Sequence, residues 1–477
     1  MSSSSSSSSS EDGNGNGGGS TSARRGGNFE GPSTSRQRAV NEVWPEHFVE
    51  ALAAQVAIDA SHSIGRLAAA PALANVFQVC TTWRAVSRWD ALWHRLSRRI
   101  WGRTQLLHDT WRDEFVYWHR TAQNFLRGRS AHGILAFDDV DNQDGYTCRC
   151  MTISDRHLAC GFADGAVRVF DLATHNHVVT LRPHERNRLG QFARAVSGIV
   201  INGATLAFAT LDGDIYVAII NGGGGVIRMA HEGDVVNDGA LVDFTGCGSG
   251  RWWVGLYAGA PNRAYHIWDS VTEELVYVNG SLTNPESLMG WRLLINEVTE
   301  FVGRVRVVTA IISEEEVEDE DHQLAVAVAV ACTSSRLIVF DLRNPDVILG
   351  EEESNNRGFI VTSVDVSNDA RYIRVDNHGH ASVCRVGTLE EVCRFNIGGG
   401  GRPGSQRRVM GCMNLGYALM CAGGVITVWE VEHGRRLYHF RERIGEVNAV
   451  VANERYVAAA AATSDRIIHL WDFGADQ

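Results

Sequence analysis

Few residues of this chain combine the types and spacing that catalysis or metal binding demands. Cys148-x-Cys150 and His175-x-His177 come closest, because alternation along a strand would put each pair on one face. The ten cysteines are otherwise scattered, without the paired spacing of a zinc site. Reduced thiols that serve packing are expected, with no metal and no cofactor. There is no GxSxG nucleophile elbow, HExxH helix, P-loop or Ca2+ loop, so a non-catalytic protein is expected. Gly13, Gly15 and Gly18 match GxGxxG, but no strand precedes them and no helix follows. Asn279-Gly280-Ser281 fits a glycosylation acceptor; without a secretory leader it reads as chance.

The charged residues are more informative. The chain has 477 residues and a net charge of −12, the wrong sign for general phosphate neutralisation, so no direct nucleic-acid partner is expected. All 44 basic residues are arginine; there is no lysine. An Ala-, Gly- and Arg-heavy composition is also what a GC-rich gene encodes. Two loops concentrate arginine: Arg182, Arg186, Arg188 and Arg194 with His184, then Arg402, Arg407 and Arg408. Guanidinium groups take carboxylates in bidentate fashion, so these arginines are the candidate grip on an acidic or extended substrate segment. Plain solvated loops are the equal alternative. The acidic run Glu314–Asp321 reads as a solvated loop rather than a site for a basic partner.

The elements that must position these residues fall into four stretches. Residues 1–40, opening with Ser2–Ser10, are too polar to bury a core and are expected to be disordered. Residues 41–101 have a helical period. Trp44, Phe48, Leu52 and Val56 recur every four residues and predict one apolar stripe. Pro71 suits the first turn of a second helix with the stripe Leu73, Val76, Cys80 and Trp83. Trp93, Leu96 and Ile100 follow Asp90, a predicted N-cap. Residues 102–130 form a helical connector in which Thr110 and Asp113 predict a capping box. It opens the stripe Trp111, Phe115, Trp118, Ala122 and Phe125. The longest apolar run, Leu324–Cys332, is too short to span a bilayer, and an intracellular protein with no membrane partner is expected.

From 131 to 477 the character is short β-branched runs broken by Gly, Asn and Asp. A turn and an alternating strand recur seven times, ending at Phe170, Ala218, Trp268, Phe340, Cys384, Trp429 and Trp471. The steps are 48, 50, 72, 44, 45 and 42 residues, close to a four-stranded propeller blade in all but one case. A propeller must close its ring or leave two unpaired edges. The last repeat stops after its third strand, whereas a spare strand-like segment precedes the first. Ile134–Phe137 is therefore predicted to supply the outer strand of the final blade.

These repeats resemble the WD-repeat family in degenerate form. Phe170-Asp171, Trp268-Asp269, Phe340-Asp341, Trp429-Glu430 and Trp471-Asp472 stand at its Trp-Asp signature. Asp164, Asp212 and Asp465 stand at its turn aspartate, with His184 and His231 loose matches to its Gly-His half. Upstream, Trp44-Pro45-Glu46, Phe48, Leu52, Val79-Cys80-x-x-Trp83-Arg84 and Asp90-x-Leu92-Trp93 resemble the F-box. Trp stands where that family has leucine, and the gap from Pro45 to Cys80 is longer than usual. The F-box resemblance implies docking on the SKP-type adaptor of a cullin–RING ligase through Trp44, Pro45, Phe48, Leu52, Val79, Cys80 and Trp83. Leu92 and Trp93 would pack the helices together. The order of tail, Val43-Trp44-Pro45-Glu46 helix, Ala-rich Leu67–Phe77 segment and propeller resembles the plant STERILE APETALA-like family of F-box/WD-repeat proteins. That resemblance implies a nuclear regulator of flower and organ development. It also implies a substrate-receptor role toward transcriptional repressor complexes of the PEAPOD/KIX type. The expected fold is mainly β: a seven-bladed WD-repeat-like propeller after a small all-α F-box-like region.

Overall fold

The computed structural model describes residues 44–137, 147–183, 190–220, 226–247, 250–280, 304–311, 325–332, 336–353, 361–376, 378–397, 409–461 and 467–474. The predicted tail, the acidic run Glu314–Asp321, Asp465 and His184 lie outside these residues.

Among the described residues, five α-helices come first: α1 (Glu46–Ser63), α2 (Ala69–Phe77), α3 (Thr81–Val86), α4 (Asp90–Trp101) and α5 (Trp111–Arg127), with a 3-10 turn at Arg66–Ala68. The buried row of α1 is Val49, Ala53 and Ala57, each with no exposure, and not the predicted Trp44, Phe48, Leu52, Val56 row. Alanines let α1 lie close against α2 and α4, which turns the bulkier neighbouring row outward. The second predicted stripe spans two helices. Leu73 and Val76 are buried on α2, the chain then breaks, and Cys80 adopts extended dihedrals (φ −160°, ψ 174°) as the residue before α3. Asp90 is the first residue of α4 rather than its cap, and its Oδ1 accepts from Trp111 N at 3.1 Å. Thr110 does cap α5: its hydroxyl accepts from Asp113 N at 3.1 Å. Leu92, Trp93, Leu96, Phe115 and Trp118 fill the bundle core. Glu114 has no side-chain exposure there and accepts from Trp118 Nε1 at 2.6 Å, Leu107 N at 3.1 Å and His108 Nδ1 at 2.7 Å. Burial opposes its charge, but these hydrogen bonds outweigh it and hold its pKa below the usual glutamate value.

Strand β1 (Ala131–Ala136) follows, then seven antiparallel four-stranded sheets. Blade 1 is β2 (Cys148–Ile153), β3 (His157–Phe162), β4 (Val167–Asp171) and β5 (His177–Leu181). Blade 2 is β6 (Val196–Asn202), β7 (Thr205–Thr210), β8 (Ile215–Ile219) and β9 (Ile227–His231). After a short helix, α6 (Val235–Asp238), blade 3 is β10 (Gly239–Gly246), β11 (Trp252–Gly259), β12 (Tyr265–Asp269) and β13 (Leu275–Asn279). Blade 4 is β14 (Arg304–Ile311), β15 (Ala325–Cys332), β16 (Arg336–Asp341) and β17 (Ile348–Glu353). Blade 5 is β18 (Val361–Ser367), β19 (Arg371–Asp376), β20 (His380–Arg385) and β21 (Glu391–Asn396). Blade 6 is β22 (Val409–Met413), β23 (Tyr417–Ala422), β24 (Val425–Glu430) and β25 (Arg435–His439). Blade 7 is β26 (Val447–Ala452), β27 (Tyr456–Ala461) and β28 (Ile467–Asp472), completed by β1.

The ring closes as the unpaired-edge argument requires. β1 pairs antiparallel with β28 from Ala131↔Asp472 to Ala136↔Ile467. The innermost strands touch in order around the axis, with β2 meeting β26 at the seam. Each recurrent strand is the third of its blade, and Phe170, Trp268 and Phe340 are wholly buried at its end. In blades 1, 3, 4, 5 and 6 the pairing of third and fourth strands shifts register at this position. Such bulges add local twist, which a fanned blade needs. The acidic residue that follows ties off the next turn. Asp171 Oδ1 accepts from Ala173 N and Thr174 N at 3.1 and 2.9 Å, and Asp269 Oδ1 accepts from Val271 N at 2.9 Å.

Candidate functional site

Of the F-box-like residues, Trp44, Phe48, Val79 and Cys80 are exposed on the helical bundle. Trp44 and Phe48 are 47% and 41% exposed, with their rings tilted against each other at 4.6 Å between centroids. Pro45 precedes α1, and its carbonyl accepts from Phe48 N at 2.9 Å. Leu52 is half-buried one turn further on. Val79, 61% exposed, and exposed Cys80 sit at the α2–α3 break, and Trp83 on α3 is half-buried against the core. Leu92 and Trp93 are buried, matching the packing role expected of them. Because α1 packs against α2, α3 and α4, both halves of the motif belong to one bundle. Large apolar side chains held in water by a folded bundle gain on the order of 1.5–3 kcal/mol each when a partner covers them.

The bundle is fixed to one end of the propeller. Arg66 pairs with Glu454 at 3.0 Å and Arg103 with Asp155 at 2.7 Å, in the turns joining first to second strands of blades 7 and 1. Phe125 on α5 stacks on Phe473 at 4.2 Å and on Tyr417 at 4.7 Å. Tyr438 donates its hydroxyl to Phe125 O at 2.6 Å. Those turns are themselves linked: Asn414 Nδ2 donates to Asn453 O at 2.9 Å, and Asn453 Nδ2 to Ser154 O at 3.2 Å. Nothing in residue spacing pointed to this junction.

Each blade is an antiparallel meander, so Arg182, just after β5, and Arg194, just before β6, stand at the opposite end. Only Arg182 and Arg194 of the candidate grip are described; Arg186, Arg188, Arg402, Arg407 and Arg408 lie outside the described residues. Arg182 Nη1 lies 3.5 Å from Asp164 Oδ2, which also accepts from buried Arg168 at 2.9 Å. Asp164 holds the tight turn as its WD-repeat position implies, accepting from Ala166 N at 3.0 Å. Arg194 backs onto that turn. Gly165 has φ +85°, and a Cβ there would lie 2.9 Å from Arg194 O. Asp212 accepts from Thr210 Oγ1 at 2.5 Å, and burial raises its pKa. His231 meets buried Trp268 edge-on at 5.5 Å.

The innermost strands carry a further network that sequence reading missed. Arg306 Nη1 on β14 donates to Asp243 Oδ2 on β10 at 2.9 Å, and its Nε lies 3.9 Å from Asp365 Oδ1 on β18. Burial works against the Arg306 charge, but the two aspartates outweigh it and raise its pKa. Burial lifts Asp365 above the ordinary carboxylate value despite Arg306. Arg168, fully buried, places its guanidinium over Phe162 at 4.4 Å and Phe137 at 4.7 Å, tying the end of β1 to blade 1.

The Cys and His pairs do not assemble into a ligand set. Buried Cys148 is held well above the usual thiol value by its hydrogen bond with Cys160 and by burial, and burial likewise raises Cys150. His175 stands in a turn at φ +60°, outside β5, so it does not share a strand face with His177. Among the described residues no group of three His, Cys, Asp or Glu is placed to hold a metal. No described helix is long and apolar enough to cross a membrane.

A closed seven-bladed propeller with a helical bundle docked on one end defines a scaffold of the WD-repeat type. The chain belongs to the STERILE APETALA family. It is 57% identical over 455 residues to "Transcriptional regulator STERILE APETALA" of Arabidopsis thaliana, covering 94% of this chain and 96% of that protein. No family model matches the sequence. Among solved structures, the Cps50 (Swd1) beta-propeller domain of Myceliophteria thermophila aligns with 71% of this chain and 99% of that domain, with TM-score 0.45 and 14% identity.

Proposed function

We propose that this chain is a nuclear protein-interaction scaffold in transcriptional regulation, with the propeller gathering protein partners. The relative's name, a transcriptional regulator at 57% identity across nearly the whole chain, carries this reading. The closed propeller supports it, since its rims offer protein-binding surface without any catalytic machinery among the described residues.

A more specific reading is favoured by one observation: the row Trp44, Phe48, Val79 and Cys80 faces solvent on a folded, buttressed bundle. On this reading the bundle is an F-box that docks on an SKP-type adaptor, and the chain is the non-catalytic substrate receptor of an SCF-type cullin–RING ubiquitin ligase. The targets implied by the family resemblance are repressor scaffolds of the PEAPOD/KIX type in flower and organ development. Residues 41–101 then act as adaptor module, 102–130 as connector and 131–477 as substrate propeller. Arg182, Arg186, Arg188, Arg194, Arg402, Arg407 and Arg408 would grip an acidic or extended segment. Affinity purification of the full chain from plant nuclei separates the two readings. An SKP-type adaptor and a cullin in the eluate support the receptor. Nuclear partners recovered without them leave the scaffold alone.

A further inference from the structure

We infer that this receptor is built to escape the ubiquitin transfer it would direct, because its surface offers no lysine amine to accept it. The inference rests on the ligase reading. The carbonyl of a ubiquitin C-terminus, held as a thioester on the cysteine of a conjugating enzyme, is attacked by a lysine ε-amine. The C–S bond breaks, an amide C–N bond forms, the amine loses a proton and the conjugating enzyme's thiol is released. A receptor stays in the assembled ligase beside that thioester whether or not a substrate is bound, so any lysine of its own would be exposed to the transfer.

Arginine is explained by structure at some positions. Arg455 makes two hydrogen bonds to Asp472, both at 2.8 Å, and buried Arg168 lies between aromatic rings; lysine reproduces neither arrangement. Elsewhere it is not. Arg95, Arg98 and Arg99 on α4 and Arg129 after α5 are exposed, with no side-chain ion pair or hydrogen bond described for them. Helix propensity does not separate arginine from lysine there, and an exposed charge with no directed partner is served equally by either. Yet all 44 basic positions are arginine. The guanidinium keeps charge and solubility while its pKa, above about 12, leaves no free amine to attack a thioester. On α4 the exposed Arg95, Arg98 and Arg99 are positions where a lysine would be tolerated.

The test uses the full chain reconstituted with adaptor, cullin–RING ligase, conjugating enzyme, ubiquitin and ATP. Wild type is compared with Arg95→Lys, Arg98→Lys and Arg99→Lys combined, and with Arg129→Lys. Native mass reports assembly, unloading of the charged conjugating enzyme reports activity, and peptide mapping reports ubiquitin on this chain. The expected result is an assembled, active complex whose wild-type chain stays unmodified and whose lysine variants gain conjugates at the new positions. Ubiquitin on the wild-type chain would overturn the inference, as would lysine variants left unmodified in an active complex. Failure to assemble overturns the ligase reading itself, and native mass distinguishes that outcome. Unchanged melting temperatures of the variants exclude misfolding as the source of modification.

Discussion

Asn124 donates a side-chain hydrogen bond to Phe473 O at 2.9 Å, joining the last helix of the N-terminal bundle to the residue that ends the final blade. Next to it, Phe125 is 1% exposed and lies within the core shared by blades 6 and 7. Bundle and ring are therefore one packed unit at this point, and a partner held on α1 has a defined position relative to the propeller. Phe125→Ala should cost about 3–5 kcal/mol. Asn124→Ala should cost about 1 kcal/mol. Both are read from urea midpoints, and Phe125→Ala should also open the bundle to proteolysis near Gly128.

Closure by β1 makes a separate prediction. Leu135 has no exposure and packs among Leu158, Phe170, Tyr456 and Leu470. Leu135→Asp should strip β1 from the ring and leave β28 as an open edge. Amide exchange at Ile467–Asp472 should then accelerate strongly, while blades 3 and 4 keep their protection.

The propeller was largely legible because each blade repeats one strand whose end is buried, and seven weak signals reinforce one another. The closing strand was legible from the need to satisfy an edge. The bundle was harder. Helical periodicity selected the bulky row Trp44, Phe48, Leu52, Val56, but alanines pack closest, so Val49, Ala53 and Ala57 went inward. The Leu73–Trp83 stripe continued across a helix break because extended Cys80 happens to keep the spacing. Asp90, Arg168 and Arg306 answer to partners distant in sequence or buried between rings, which local pattern does not encode.

Acid should destabilise the seam between β1 and β28. His469 Nδ1 lies 3.0 Å from His132 Nε2, and burial first, then His132, holds His469 below its ordinary 6.5, against a weaker pull from Glu442. The folded state thus binds this proton more weakly than the unfolded chain. The corresponding stability is present above the unfolded value and lost as pH falls through the lowered one. Buried His266, pushed down to about 4, acts in the same sense. The melting temperature should begin to drop as pH falls through about 6.5 and go on dropping toward about 4, and His469→Gln should make that drop shallower.

The inner network predicts a non-additive pair. Arg306→Met leaves Asp243 and Asp365 without their cation and should cost on the order of 3 kcal/mol. Adding Asp243→Asn should recover part of that loss, since the remaining side chain carries no charge to strand. A double-mutant cycle by denaturant unfolding measures the coupling.

The exposed row on the bundle is the centre of the receptor reading, and calorimetric titration of purified SKP-type adaptor into the full chain tests it most directly. The account predicts saturable binding to wild type. It also predicts at least a tenfold loss, roughly 1.4 kcal/mol, with Phe48→Glu or Val79→Glu. Because both side chains are exposed, these variants should keep the wild-type melting temperature. Adaptor binding that is undiminished in them, or absent in the folded wild-type chain, would contradict the account.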